Sequence, residues 1–170
     1  MNDRLPLDFF LRDVLEVAPA LIGKLLVRQF DDGRIEKFRI TETEAYRGIE
    51  DLACHASKGR TPRTEVMFRQ GGTVYVYLIY GMYWMLNMVV GEENIPEAVL
   101  IRGIEGFSGP GRVGRVLQLD RSFYGENLAA SSRIWVEDAE PLSEIKISKR
   151  IGVEYSGEEW ANKLWRFSEK

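Results

Sequence analysis

The chain has 170 residues, a formal net charge of −3, 45% hydrophobic and 29% charged residues. That is enough for one domain with a real core, spanning residues 1–170, and its composition is that of an ordinary globular fold. No apolar run approaches the roughly 20 residues that span a bilayer, MNDRLPLDFF lacks the basic start and long apolar core of a signal peptide, and the single Cys54 excludes an internal disulfide.

Asp13-Val-Leu-Glu16 reads as a capping box that opens a helix ending near Gly23, with Pro19 shortening or kinking it. Strands are expected over 24–30 and 34–43, joined at Asp31-Asp32-Gly33. Residues 50–55 read as loop or short helix. Thr61-Pro62-Arg63-Thr64 reads as a loop leading into one helical turn before Gly71-Gly72. Residues 73–79 and 83–90 read as a hairpin, and 98–102 as a short apolar strand ending at Arg102. Gly109-Pro110-Gly111 marks a loop and 112–119 a helix. Strands are expected at 134–136 and 145–153, and a helical turn at 158–163. The order is not a regular βαβ alternation. It predicts a mixed α/β fold with a largely antiparallel sheet.

Charge is unevenly spread. KGRTPRTEVMFR (58–69) sets Lys58, Arg60, Arg63 and Arg69 against Glu65, and 112–121 sets Arg112, Arg115 and Arg121 against Asp120. A basic face on a mildly acidic body fits these clusters, and so do ordinary solvated arginines. The acidic total argues mildly against a purely electrostatic DNA binder.

Several residues have chemistry to offer. In RITETEAY (39–46), strand alternation places Glu42, Glu44 and Tyr46 on one face. An exposed face with paired charges is the commoner outcome. A general base beside an aromatic wall is the functional one, with Glu44, taken to stand at the strand end, as its candidate. His55 is a pocket hydrogen-bonding group or a structural histidine. One His and one Cys argue strongly against a Cys/His zinc site, since such sites want about four ligands. Arg102 is a structural ion-pair member or a positioner of anion and water. Asn87, among apolar neighbours, satisfies a backbone gap or faces a ligand cavity, because a buried unpaired amide costs about 1–3 kcal/mol. No nucleophile elbow, Walker loop or dinucleotide fingerprint is present, and GPGRVGR is a weak phosphate-loop signal.

TVYVYLIYGMYWMLN (73–87) places Tyr80 and Met82 at a hairpin tip, where water should surround them. A core explains Tyr75 and Tyr83 but not these two. Proteins that open a duplex through the minor groove insert apolar wedges. Enzymes acting on a base must first unstack it. Tyr80 has the shape of such a wedge, and Tyr46 and Tyr77 could sandwich an extruded base.

ITETEAY, ACHASKGRTPR, MF, YVYLIYGMYWMLN, EAVLIR and GPGR, in this order, resemble the alkyladenine type of 3-methyladenine DNA glycosylase, from about Leu15 to Phe167. The resemblance implies a single domain with a curved antiparallel sheet and a protruding hairpin. It implies catalytic roles for Glu44 (water activation), Arg102 and the backbone carbonyl of Ile151 (water contacts). It places Tyr46 and His55 on one side of a flipped base and Tyr77 on the other, with Asn87 excluding guanine's amino group. Tyr80 and Met82 match the wedge, and Thr61, Arg112 and Arg121 the backbone contacts. The implied partner is double-stranded DNA containing damaged purines, with no metal or organic cofactor, no membrane, and a monomer. A cytoplasmic or nucleoid-associated protein of a prokaryote is expected. Electron-rich rings should favour cationic, alkylated bases. A catalytically silent nucleic-acid-binding module using the same hairpin is the alternative; Glu44 beside Arg102 argues against it, since a pure binder has no use for a carboxylate there. The exposed tip argues against a small-molecule hydrolase, and the ordered motifs against a protein-interaction domain.

Overall fold

A computed structural model describes residues 3–170. Its frame is one long strand. β2 (Ile35–Arg47) pairs antiparallel with β1 (Leu25–Gln29) along its first half and with β5 (Glu97–Ile104) along its second. The register shifts twice between Ile40 and Thr43. Irregularity of this kind bends a strand and ends its pairing with one neighbour. The edge that β1 leaves is taken by β9 (Arg166–Glu169), which faces Glu42–Glu44.

The main path of the sheet runs β3-β4-β5-β2-β1-β7, with β3 at Val74–Ile79, β4 at Tyr83–Val90 and β7 at Ile134–Glu137. β6 (Phe107–Ser108) pairs with β5, and β8 (Ile145–Ser148) with β9. All pairings are antiparallel, so nine strands form one sheet among the described residues. The mixed α/β, largely antiparallel expectation therefore holds. Among the described residues no helix is long and apolar enough to cross a membrane.

Helices pack on this frame through small residues. α1 (Leu7–Phe10) is a single turn, and α4 (Glu158–Ala161) another. α2 (Val14–Ala20) starts at Asp13, whose carboxylate accepts the Leu15 N–H, and contains Pro19 in its last turn, where one intrahelical N–H is lost. Its Val17 and Ala18 are buried, and the Ala18 carbonyl accepts the Thr43 hydroxyl at 2.8 Å. α3 (Pro110–Val116) has Pro110 in its first turn, so GPG is the helix start and not a free loop. A Cβ on Gly114 would lie 1.9 Å from the Trp84 carbonyl oxygen. Only glycine lets α3 sit this close to the hairpin strand β4.

Three expectations shift. β2 continues to Arg47, and β5 to Ile104, so Glu44 and Arg102 lie within their strands and not at the ends. The expected strand 145–153 stops at Ser148, because Lys149–Val153 leaves the sheet. The tail Leu-Trp-Arg-Phe, given no element in sequence, supplies β9.

Candidate active site

The hairpin β3–β4 turns on Tyr80 and Gly81, with φ of 54° and 65° and a Met82 N–H to Ile79 carbonyl bond of 3.1 Å. Two positive φ values in a two-residue loop suit the right-handed twist of the strands. For tyrosine this backbone is unfavourable by about 1 kcal/mol. Tyr80 is nevertheless 87% exposed and Met82 60%. The hairpin thus holds two large apolar side chains out in solvent.

Beneath the tip lies a cavity of about 350 Å³. Tyr46 from β2, His55, Tyr75 and Tyr77 from β3, Asn87 from β4, Arg102 from β5 and Ile151 all line it, as does Tyr80 at its rim. A small apolar cluster built on Cys54, Ala56, Met67, Tyr75 and Val89 supports the Tyr46 and Tyr77 side. Burial pushes the Cys54 thiol up to about 12, so it stays a protonated packing group. The His55 and Tyr77 rings meet edge to face at 4.5 Å, and His55 Nδ1 hydrogen-bonds the Tyr75 hydroxyl at 2.9 Å. Burial, with the charge of Arg63, depresses the His55 pKa to about 4, so the imidazole is neutral near pH 7. Asn87 faces the cavity, and its buried Nδ2 has no hydrogen-bond partner among the described residues.

Glu44 stands immediately behind this wall with no exposed side-chain surface. One oxygen accepts the Tyr46 hydroxyl at 2.8 Å; the other accepts the Ile151 N–H at 2.7 Å. Arg102 Nη1 is 3.7 Å from Glu44, while its Nε is 2.9 Å from Glu42. Glu42 in turn reaches Arg166 at 3.2 Å. Strand alternation had placed Glu42, Glu44 and Tyr46 together, and they share one network. Burial raises the Glu44 pKa, and Arg102, the Ile151 N–H and the Tyr46 hydroxyl oppose that rise. The result is a carboxylate more basic than an ordinary one, held by two hydrogen-bond donors and the charge of Arg102. At Ile151 the contact present is through the N–H.

What fixes Ile151 has no local signal in the sequence. Arg150 enters the interior and binds Asp51 through both terminal nitrogens, at 2.6 and 3.0 Å, with both side chains fully buried. It also donates to the Ala45 and Trp160 carbonyls. Asp51 meanwhile accepts the Arg47 and Ala53 N–H groups. The clamp therefore ties residues 149–153 to the end of β2 and to the loop after it. No local pattern links two residues 99 positions apart.

The remaining expected residues lie outside the cavity. Arg112 is exposed on α3, whose Gly111 abuts the Tyr83 ring at the base of the hairpin. Arg121 is exposed in a 3-10 turn. Thr61 is exposed, and its hydroxyl accepts the Thr64 N–H at 3.1 Å. Among the described residues no group of three or more His, Cys, Asp or Glu side chains is arranged to hold a metal ion.

The family model for methylpurine-DNA glycosylase matches residues 8–108 and 105–170. The chain belongs to the methylpurine-DNA glycosylase family. It is similar to a protein of Methanocella arvoryzae, 46% identical over 98% of this chain and 92% of that protein. A Natranaerobius thermophilus protein is 42% identical over 96% of this chain and 94% of its own length. A Borreliella burgdorferi protein is 43% identical over 94% and 92%. Each is named, provisionally, a 3-methyladenine DNA glycosylase. The chain is thus a DNA glycosylase, a hydrolase of DNA repair whose substrate is DNA.

Proposed function

We propose that this glycosylase flips an alkylated or deaminated purine out of duplex DNA and hydrolyses its N-glycosidic bond with a water activated by Glu44. The observation that carries the reading is Glu44 held by Arg102, Tyr46 and Ile151 directly behind the wall of an aromatic cavity, under an exposed hairpin tip. Tyr80 and Met82 enter the minor groove and fill the vacated stack, which offsets part of the unstacking cost. The extruded base lies between Tyr46 and His55 on one side and Tyr77 on the other. Asn87, with an unspent N–H, meets its edge and disfavours guanine's amino group. Thr61, Arg112 and Arg121 hold the backbone.

Each carboxylate oxygen of Glu44 has a lone pair beyond the one its donor uses. Water approaching from the Arg102 side gives a proton to Glu44 while its oxygen bonds to C1′. The C1′–N bond breaks and its electron pair leaves with the base. The carbonyl of Ile151 serves as a third water contact. The negative charge of Glu44 also stabilises the cationic sugar. No lysine lines the cavity, which favours water over an amine as nucleophile and a monofunctional enzyme. A monomer presenting one hairpin to one lesion is sufficient, working on the chromosome in the cytoplasm or at the nucleoid.

The test is single-turnover incubation of wild type and Glu44→Gln with duplexes carrying one defined lesion, followed by alkaline cleavage at abasic sites. Glu44→Gln should keep lesion binding and lose about 100-fold or more in excision, the scale of a general base. Near-normal excision by Glu44→Gln would remove the carboxylate from its role.

A further inference from the structure

Both tyrosine walls of the cavity carry a guanidinium, and the two differ. Arg150 lies 5.0 Å from the Tyr46 ring centroid, but its charge is matched by Asp51 at 2.6 Å. Arg102, the other arginine at the cavity, is matched by Glu42 and Glu44. Arg63 lies 5.0 Å from the Tyr77 ring centroid, and among the described residues no carboxylate comes within 4.0 Å of its nitrogens. Arg63 is outside the cavity lining, so its charge acts on the pocket through the Tyr77 ring and beside His55. His55, pressed edge-on to the same ring, adds no compensating charge.

A ring attracts a cation through its negative face, and a cation already on that ring polarises it against a second. The second charge is also repelled directly, across a ring instead of across water, where salt screens it little. We propose that Arg63 is a specificity-determining residue that biases the cavity toward neutral purine lesions and away from cationic ones. The proposal rests on the glycosylase reading above and refines it: the aromatic sandwich alone favours cationic bases, and Arg63 offsets that preference. The rival account of an exposed arginine beside Thr61 is a phosphate contact, which would act on every lesion alike.

The experiment measures single-turnover excision from two duplexes identical except for one base, 7-methylguanine (cationic) or hypoxanthine (neutral), by wild type, Arg63→Met and Arg63→Lys. Arg63→Met should raise the cationic-to-neutral ratio about threefold to tenfold, the range of a cation–π contact. Arg63→Lys, which keeps the charge, should stay near the wild-type ratio. Melting temperatures should fall by no more than about 2–4 °C, because the exposed side chain gives up a cation–π contact. If wild type releases only hypoxanthine, Arg63→Met must gain release of 7-methylguanine. An unchanged ratio, an equal loss on both duplexes, or a lysine variant that behaves like methionine overturns the proposal. So does a wild type that releases only the cationic base. Release of neither base by wild type sinks the glycosylase reading itself, and the proposed role with it.

Discussion

Asp51→Ala removes one half of the Asp51–Arg150 pair and leaves the other behind. Both side chains are fully buried, and Arg150 Nε already lacks a partner. An uncompensated guanidinium in the interior costs about 3–5 kcal/mol, far more than an intact buried pair contributes. For a chain of this size each 1 kcal/mol moves Tm by about 2–4 °C, so Tm should fall by about 6–20 °C. Glu65→Ala breaks the exposed Arg60–Glu65 pair, whose side chains are 48% and 49% exposed, and makes the control. It should cost at most about 1 kcal/mol. Thermal melts followed by far-UV circular dichroism read both. The double variant Asp51→Leu/Arg150→Met, which removes both charges together, should recover most of the loss. A decrease for Asp51→Ala no larger than for the Glu65 control, or no recovery in the double variant, would refute the argument.

Other outcomes follow from the same geometry. Tyr80→Gly relieves the positive φ and should stabilise the fold by up to about 1 kcal/mol in urea titrations, while weakening binding to lesion duplex more than to lesion single strand; equal weakening on both would count against the wedge. Glu44 has a raised pKa in the fold, so its contribution to stability is present below the ordinary carboxylate pKa and is lost as pH rises through the raised value. Glu44→Gln should therefore match or exceed wild-type Tm at pH 7 and lose that advantage at pH 4. Excision should rise with pH through the raised Glu44 pKa, above the usual carboxylate range, when measured as a single-turnover pH profile. His55, depressed to about 4, contributes stability that is present above its ordinary pKa of about 6.5 and falls away as pH drops toward 4. His55→Phe should flatten that acid limb in melts between pH 7 and 4.

Much of the arrangement was legible because it is local. Alternation in YVYLI and YWMLNMVV is enough to place the hairpin, and the period of two in TETEAY is enough to put Glu42, Glu44 and Tyr46 on one side. What stayed hidden depends on distant partners. Ile145–Val153 reads as one β-rich run, yet it must break after Ser148 so that Arg150 can turn inward to Asp51. Residues 166–169 are too short to declare a strand and gain that form from β8 and the bulged edge of β2. Glu44 was expected at a strand end open to a cleft. It is enclosed instead, because β2 runs on to Arg47 with β5 beside it.

The bond from Arg166 to Glu42 joins positions 124 apart. A ribosome that has released the hairpin, the tyrosines and Glu44 has still not delivered the strand beside them. A chain lacking residues 166–169 would keep the side chains that line the cavity and lose the strand that pairs with Glu42–Glu44.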